Sequence, residues 1–285
     1  MRTRTEPHIH QPLDEPVQRL IHHMAHQFGQ QFVDSFLIPH LARPLGVPPE
    51  DHQSLLQALA KPAAALQVLY AHYAFSRRGK HRDELVAAAQ EALAKTLVAQ
   101  SLHDGSDTVW HAFVVACQSR HIKATEAQDR GIVQGLFELA AETDAANPGE
   151  SIVSLIVRTI NETGKIEDIF ARIVDIRGLG PKSTSTFIRD IVHLYGLEPL
   201  VEPAEKIHIQ PVDRWLRLLA AEIVPEDGMD KAADWVIAGK VSKYCRRAGA
   251  SSILFSMGCT YFGQRIVRDV ERFDYEIRKL KQSLA

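Results

Sequence analysis

Apolar residues recur along this chain three and four positions apart, and almost nowhere do they alternate with polar ones. Ile166, Ile169, Phe170, Ile173 and Val174 share one helical face over 165–176. Phe187, Ile188, Ile191, Val192 and Tyr195 share another over 182–195. The same spacing predicts helices over about 16–38, 52–75, 82–102, 107–120, 125–143, 150–162, 212–224, 229–247, 250–262 and 264–282. No alternating run with hairpin turn residues competes, so the expected fold class is all-α.

Composition removes several alternatives. With 45% hydrophobic and 24% charged residues in 285 positions, the chain can build an ordinary core and is not a disordered polyelectrolyte. No apolar run approaches the ~18 residues of a membrane span. The opening Met1-Arg2-Thr3-Arg4-Thr5-Glu6-Pro7 lacks the apolar stretch of a secretory signal, and a cytoplasmic protein is expected. Cys117, Cys245 and Cys259 are too few for a disulfide framework, a four-thiolate zinc site or a four-thiolate iron–sulfur cluster. They read as buried, inert thiols. The net charge of −2 makes no broad polycation, so any nucleic acid must be held by a local patch.

Residues 1–80 read as an N-terminal helical extension. The first 16 are polar and rich in proline and are expected to be poorly ordered, and Arg77-Arg78-Gly79-Lys80 marks the break before a domain over 81–285. Residues 196–211 form the longest irregular stretch between predicted helices, and connections of that length are often functional.

The most informative segment is Asp175-Ile176-Arg177-Gly178-Leu179-Gly180-Pro181-Lys182-Ser183. A helix ends, two glycines make a tight turn, and a second helix starts near Lys182. Free backbone N–H groups and the partial positive charge of a helix N-terminus can hold a phosphate there. A plain glycine-capped turn has the same appearance. In the first turn, the helix N-terminus favours the lysine amine as a nucleophile over the ammonium, and burial would add to this. A solvated surface lysine is the other reading. Past the long loop, Pro211 pushes Gln210 toward extended backbone, so a helix starts just beyond it. That places Asp213 at the helix N-terminus, where a carboxylate is favoured and where it could be a simple cap.

Taken in order, these pieces resemble the helix-hairpin-helix DNA glycosylase superfamily (HhH-GPD). Its marks are an amphipathic helix, a Gly-apolar-Gly hairpin, a lysine two residues on, and a Pro-Val-Asp opening a later helix. Here these are Gly178-Leu179-Gly180, Lys182 and Pro211-Val212-Asp213. Ser252-Ile253-Leu254-Phe255-Ser256-Met257-Gly258 is similar to the family's late helix. Phe262 stands where cluster-bearing members have a cysteine, so no iron–sulfur cluster is expected. Within the superfamily the chain is most similar to the archaeal-type 8-oxoguanine DNA glycosylase group (AGOG). That group shares the long insert between lysine and aspartate and a glutamine segment, here Leu97-Val98-Ala99-Gln100-Ser101-Leu102 followed by Gly105 and Trp110-His111-Ala112-Phe113.

The resemblance implies two helical subdomains with the active site between them, and excision of a damaged base from double-stranded DNA, an oxidised purine such as 8-oxoguanine. Backbone around Gly178, Leu179 and Gly180 would grip the strand, with a monovalent cation as the one cofactor the family often adds. Arg177 stands where the family has proline and could itself touch phosphate, and Ser183 follows on the same turn. Lys182 would attack C1′ of the sugar, and Asp213 would stabilise positive charge and move protons. The flipped base would meet Gln100 and Trp110, and the last helix would offer Asp269 and Phe273, which are also readable as a surface aspartate and a core phenylalanine. Trp215 and Trp235 read as core residues.

Lys240, Lys243, Arg246 and Arg247 form a positive run, either a solvated face or added phosphate contacts. His22 and His26 lie four apart on a helix with no carboxylate or cysteine spaced to complete a metal site, and no metal is expected. The expected protein is a monomer without membrane association, nucleoid-associated when bound to DNA. The alternatives are a non-catalytic or divergent DNA-binding protein on the same scaffold, or a glycosylase acting on modified bases of foreign DNA.

Overall fold

A computed structural model of the protein describes residues 12–75, 81–97 and 105–284. The break expected at Arg77–Lys80, most of the polar leader and the base-pocket candidate Gln100 lie outside these residues. The described residues are helical and contain no strand.

The chain divides into two compact units. One is formed by Arg214–Ala285 with the described part of Met1–Gln30, and the other is Gln31–Asp213. This differs from the expected boundary at residue 80. The reason on the N-terminal side is a close crossing that periodicity cannot show. The π-helical stretch Met24–Gly29 packs directly on the Ser252–Tyr261 helix. A Cβ at Gly258 would overlap the carbonyl oxygen of Met24, and one at Gly29 would overlap that of Leu254. Two glycines far apart in sequence therefore let the backbones meet. Around this crossing the Glu15–His23, Arg214–Ile223, Asp234–Ala248 and Val270–Ser283 helices close a core containing Leu20, Ile21, Trp215, Phe255 and Phe273.

In the second unit the helix expected over 52–75 breaks at Ala60–Lys61, because Pro62 starts a new one. That new helix, Pro62–Gln67 continuing as Val68–Ala74, is the centre of the unit rather than part of a peripheral extension. Every residue from Val68 to Ala74 is buried, as expected of a helix covered on all sides. The Arg82–Leu97, Gly131–Ala146, Ile152–Thr163 and Pro181–Leu194 helices surround it.

His72 on this central helix accepts from the Gln90 Nε2 amide through its own Nε2 at 3.0 Å, which leaves its proton on Nδ1, 3.1 Å from His40 Nε2. Burial, with the neighbouring His40 and Arg82, pushes the His72 imidazole down from 6.5 to about 4. His40 is lowered by burial in the same direction. The unfolded chain takes up a proton at position 72 as pH falls through 6.5, whereas the folded chain does so only near 4. Stability from this group is therefore complete above pH 6.5, and roughly 3 kcal/mol of it is lost on going down to pH 4. Urea unfolding between pH 7.5 and 4.5 should show this slope, and His72→Gln should flatten it. An unchanged slope in the variant assigns the acid sensitivity to other groups.

Candidate nucleic-acid interface

The Glu167–Val174 helix ends at Asp175, and the Pro181–Leu194 helix starts after Gly180. Between them the Leu179 N–H donates to the Ile176 carbonyl at 2.9 Å, closing a tight turn. Gly178 has φ +97°, the region that favours glycine, whereas Gly180 is extended at φ −118°. The two glycines thus have different reasons to be there.

The turn is pressed onto its neighbour. A Cβ at Gly178 would lie 2.9 Å from Ile132 Cγ1 and 3.0 Å from the Gln128 carbonyl oxygen. On the Gly131–Ala146 helix, a Cβ at Gly135 would lie 2.7 Å from Ile176 and one at Gly131 3.0 Å from Arg177. Gly131 and Gly135, four apart, form a smooth seat that receives the start of the hairpin. Sequence reasoning missed this seat. The spacing is visible in the sequence, but what it packs against is not.

Above Gly180 the space is open, with nothing within 4 Å of where a Cβ would point. Pro181 at the first helical position has no N–H to satisfy. Gly180 makes no side-chain cap, and among the described residues no acceptor meets the N–H of Gly180, Lys182 or Ser183. Lys182 is exposed on this first turn, so the burial considered for it is absent. Arg177 is exposed and makes no ion pair among the described residues. The two glycines are separable experimentally. Gly178→Ala should cost about 2 kcal/mol in urea unfolding, from its positive φ and the contact with Ile132 and Gln128. Gly180→Ala should change stability by less than about 0.5 kcal/mol while weakening duplex binding several-fold. A folded Gly180→Ala variant that binds as wild type makes the hairpin an ordinary turn.

The opposite end of the Pro181–Leu194 helix is firmly anchored. Asp190 and Arg189 are buried and paired at 2.8 Å, and Tyr73 Oη donates to Asp190 Oδ2 at 2.8 Å. Tyr195 Oη donates to the Leu56 carbonyl at 2.9 Å. Beside the hairpin lies a groove of about 530 Å³ whose lining includes Arg130, Arg172, Glu126 and Glu142. Arg130 is held by Asp107 and Glu126, and Arg172 by Glu142. Arg177 also lines it, but with Glu138 and Asp175 beside these pairs the carboxylates outnumber the cations, so the groove is not a positively charged channel.

The long loop is a clamp. The buried Glu205 carboxylate accepts from the N–H groups of Ile166 (2.9 Å) and Glu167 (2.8 Å), capping the first helix of the hairpin from 38 residues away. The Glu202 N–H donates to the Gly164 carbonyl at 3.0 Å, and the His208 ring lies 4.6 Å from that of Phe170. Glu205–Ile209 packs against both hairpin helices. From this docked turn the chain runs through Pro211 and Val212, both buried, to the half-buried Asp213, immediately before the Arg214–Ile223 helix. Glu205 was not singled out from the sequence. A capping carboxylate normally sits beside the helix it caps, and this one is remote.

The remaining candidates fare differently. Trp110 is buried against Phe113, ring centroids 6.1 Å apart. Phe273 is wholly buried, 5.1 Å from the Trp215 ring, and has no face for a base. Asp269 caps the Val270–Ser283 helix by accepting from the Glu271 N–H at 3.0 Å. The pair expected in the base pocket is therefore a helix cap and a core residue. Trp215 lies in the core, but Trp235 does not: it is 69% exposed. His22 Nε2 faces the Ala248 carbonyl at 2.7 Å, and its ring stacks on His26. Among the described residues no group of side chains is arranged to hold a metal, and no helix is long and apolar enough to cross a membrane. Cys117, Cys245 and Cys259 are buried.

No protein-family model matches the chain, and neither the curated proteins nor the solved structures contain a match.

Proposed function

We propose that the protein is a base-excision DNA glycosylase with associated strand-cleaving activity at abasic sites, acting on an oxidised purine such as 8-oxoguanine. The observation that carries this reading is the hairpin. Gly180, Lys182 and Ser183 present uncapped N–H groups beside open space, with the Lys182 side chain exposed on the same turn. Such a terminus binds phosphate through backbone and helix charge, without reading sequence. A phosphate contact could account for Lys182 alone and a helix cap for Asp213 alone; the two together, in the order the resemblance expects, support an enzyme over a protein that only binds DNA.

In this mechanism the hairpin holds the damaged strand and the target nucleotide leaves the stack. Lys182 Nζ attacks C1′, the bond from C1′ to the base nitrogen breaks, and the base departs with a proton. The sugar ring opens to an imine on Nζ. Loss of a C2′ proton then expels the 3′ phosphate by β-elimination, and water releases the amine. Asp213 stabilises the positive charge that develops at the sugar and carries protons between steps. Neither step consumes an oxidant, a nucleotide or a metal.

The test is chemical. Borohydride added while the protein is incubated with duplexes, each carrying one damaged base, reduces the imine to a stable amine and links protein to DNA. The expected result is a covalent adduct with an oxidised-purine duplex. Absence of an adduct and of released base across the panel overturns the proposal.

A further inference from the structure

Trp235 is the most exposed of the large apolar side chains among the described residues. It stands on the first turn of the Asp234–Ala248 helix. At 100° per residue, Lys243 and Arg246 fall within about 80° of it around the axis, and the three span about 16 Å of helix length. Lys243 and Arg246 are exposed and make no ion pair among the described residues. The charges around them are already balanced. Asp234, next to Trp235, is held by Arg217, and Lys240 is held by Glu226. The face therefore offers a large flat ring and two uncommitted cations, with its nearest carboxylate neutralised.

We propose that this helix face is a nucleic-acid contact that takes an unpaired stretch of strand, with the Trp235 ring stacked on a base and Lys243 and Arg246 paired with flanking phosphates. Beside free cations, the complement of a large exposed ring is a flat, anionic polymer. In a duplex the faces of a base are hidden in the stack, so the partner strand must be unpaired locally. The proposal goes beyond the glycosylase reading and uses neither Lys182 nor Asp213.

Trp110 and Trp215 are buried, so quenching of tryptophan fluorescence by a bound strand reports on Trp235. The full chain titrated with a short oligothymidylate should show quenching, and with the matching duplex much less. Trp235→Leu should remove the quenching and weaken strand binding about tenfold. Lys243→Gln with Arg246→Gln should lower the salt slope of single-strand binding by about 1.4, two phosphates at 0.7 each. Binding and quenching are read on undamaged strands with no trapping step, which separates this surface from the proposed chemistry. Circular dichroism checks that each variant folds. Undiminished strand affinity in Trp235→Leu overturns the proposal. So does equal quenching by phosphatidylserine vesicles, or a wild-type dimer that Trp235→Leu dissolves, since these assign the face to a lipid surface or a second copy.

Discussion

Lys182→Gln is expected to abolish covalent trapping by borohydride completely while leaving duplex affinity within a few-fold of wild type. The two effects separate because the side chain and the backbone do different work at this turn. In the proposed mechanism the amine supplies the bond to C1′, and glutamine has no amine to form an imine. In the same proposal the grip on the strand rests on the N–H groups of Gly180, Lys182 and Ser183, and the substitution keeps all three. One lost positive charge removes at most one phosphate contact, which moves affinity modestly and lowers the salt slope by about 0.9. Lys182 is exposed, so the fold should tolerate the change. The measurement pairs trapping on the preferred duplex with equilibrium binding to the same duplex. A variant that still traps would assign the nucleophile to another amine. A variant that loses trapping and binding together would make Lys182 a contact residue.

Glu205→Ala is expected to cost about 4 kcal/mol of stability. Glu205 is buried, and its Oε2 accepts from two backbone N–H groups at the start of the Glu167–Val174 helix. Hydrogen bonds to a charged acceptor contribute roughly 1.5–3 kcal/mol each, and alanine removes the partner of both donors, the Ile166 N–H in a buried setting and the Glu167 N–H in a partly buried one. For a unit of this size the melting temperature should fall by roughly 8–16 °C. Glu205→Gln keeps an acceptor and loses only the charge, so it should recover about half of the loss. Urea unfolding of the three proteins gives the comparison. A loss below about 1 kcal/mol in the alanine variant would show that Glu202, Phe170 and His208 hold the loop without it.

The helices themselves were legible in the sequence because burying one face needs apolar residues every third or fourth position, and that pattern survives in any tertiary setting. It located the Glu167–Val174 and Pro181–Leu194 helices to within a few residues. Local chemistry also located the hairpin turn between them and the start of the Arg214–Ile223 helix after Asp213. Where local rules met, the reading needed a neighbour to decide. Pro62 could have sat inside a kinked helix or started a new one, and it starts a new one. Asp269 and Phe273 had the spacing of a pocket pair, yet Phe273 fills the space beside Trp215 and Asp269 caps its own helix.

What a residue touches across the chain was decided only by the fold. Gly29 and Gly258 are 229 positions apart, and their missing side chains let Met24–Gly29 join the C-terminal helices. Gly131 and Gly135 form a seat only once Ile176 and Arg177 are placed on it. Glu205 is a cap only because the long loop returns to Ile166 and Glu167. Trp235 has the character of a core residue and stands in solvent, since the buried face of its helix, with Ile237, Val241 and Tyr244, turns the other way. Periodicity is a property of one segment and can be read there. Close approach, remote capping and exposure are properties of two surfaces meeting, and the sequence of either one does not contain the other.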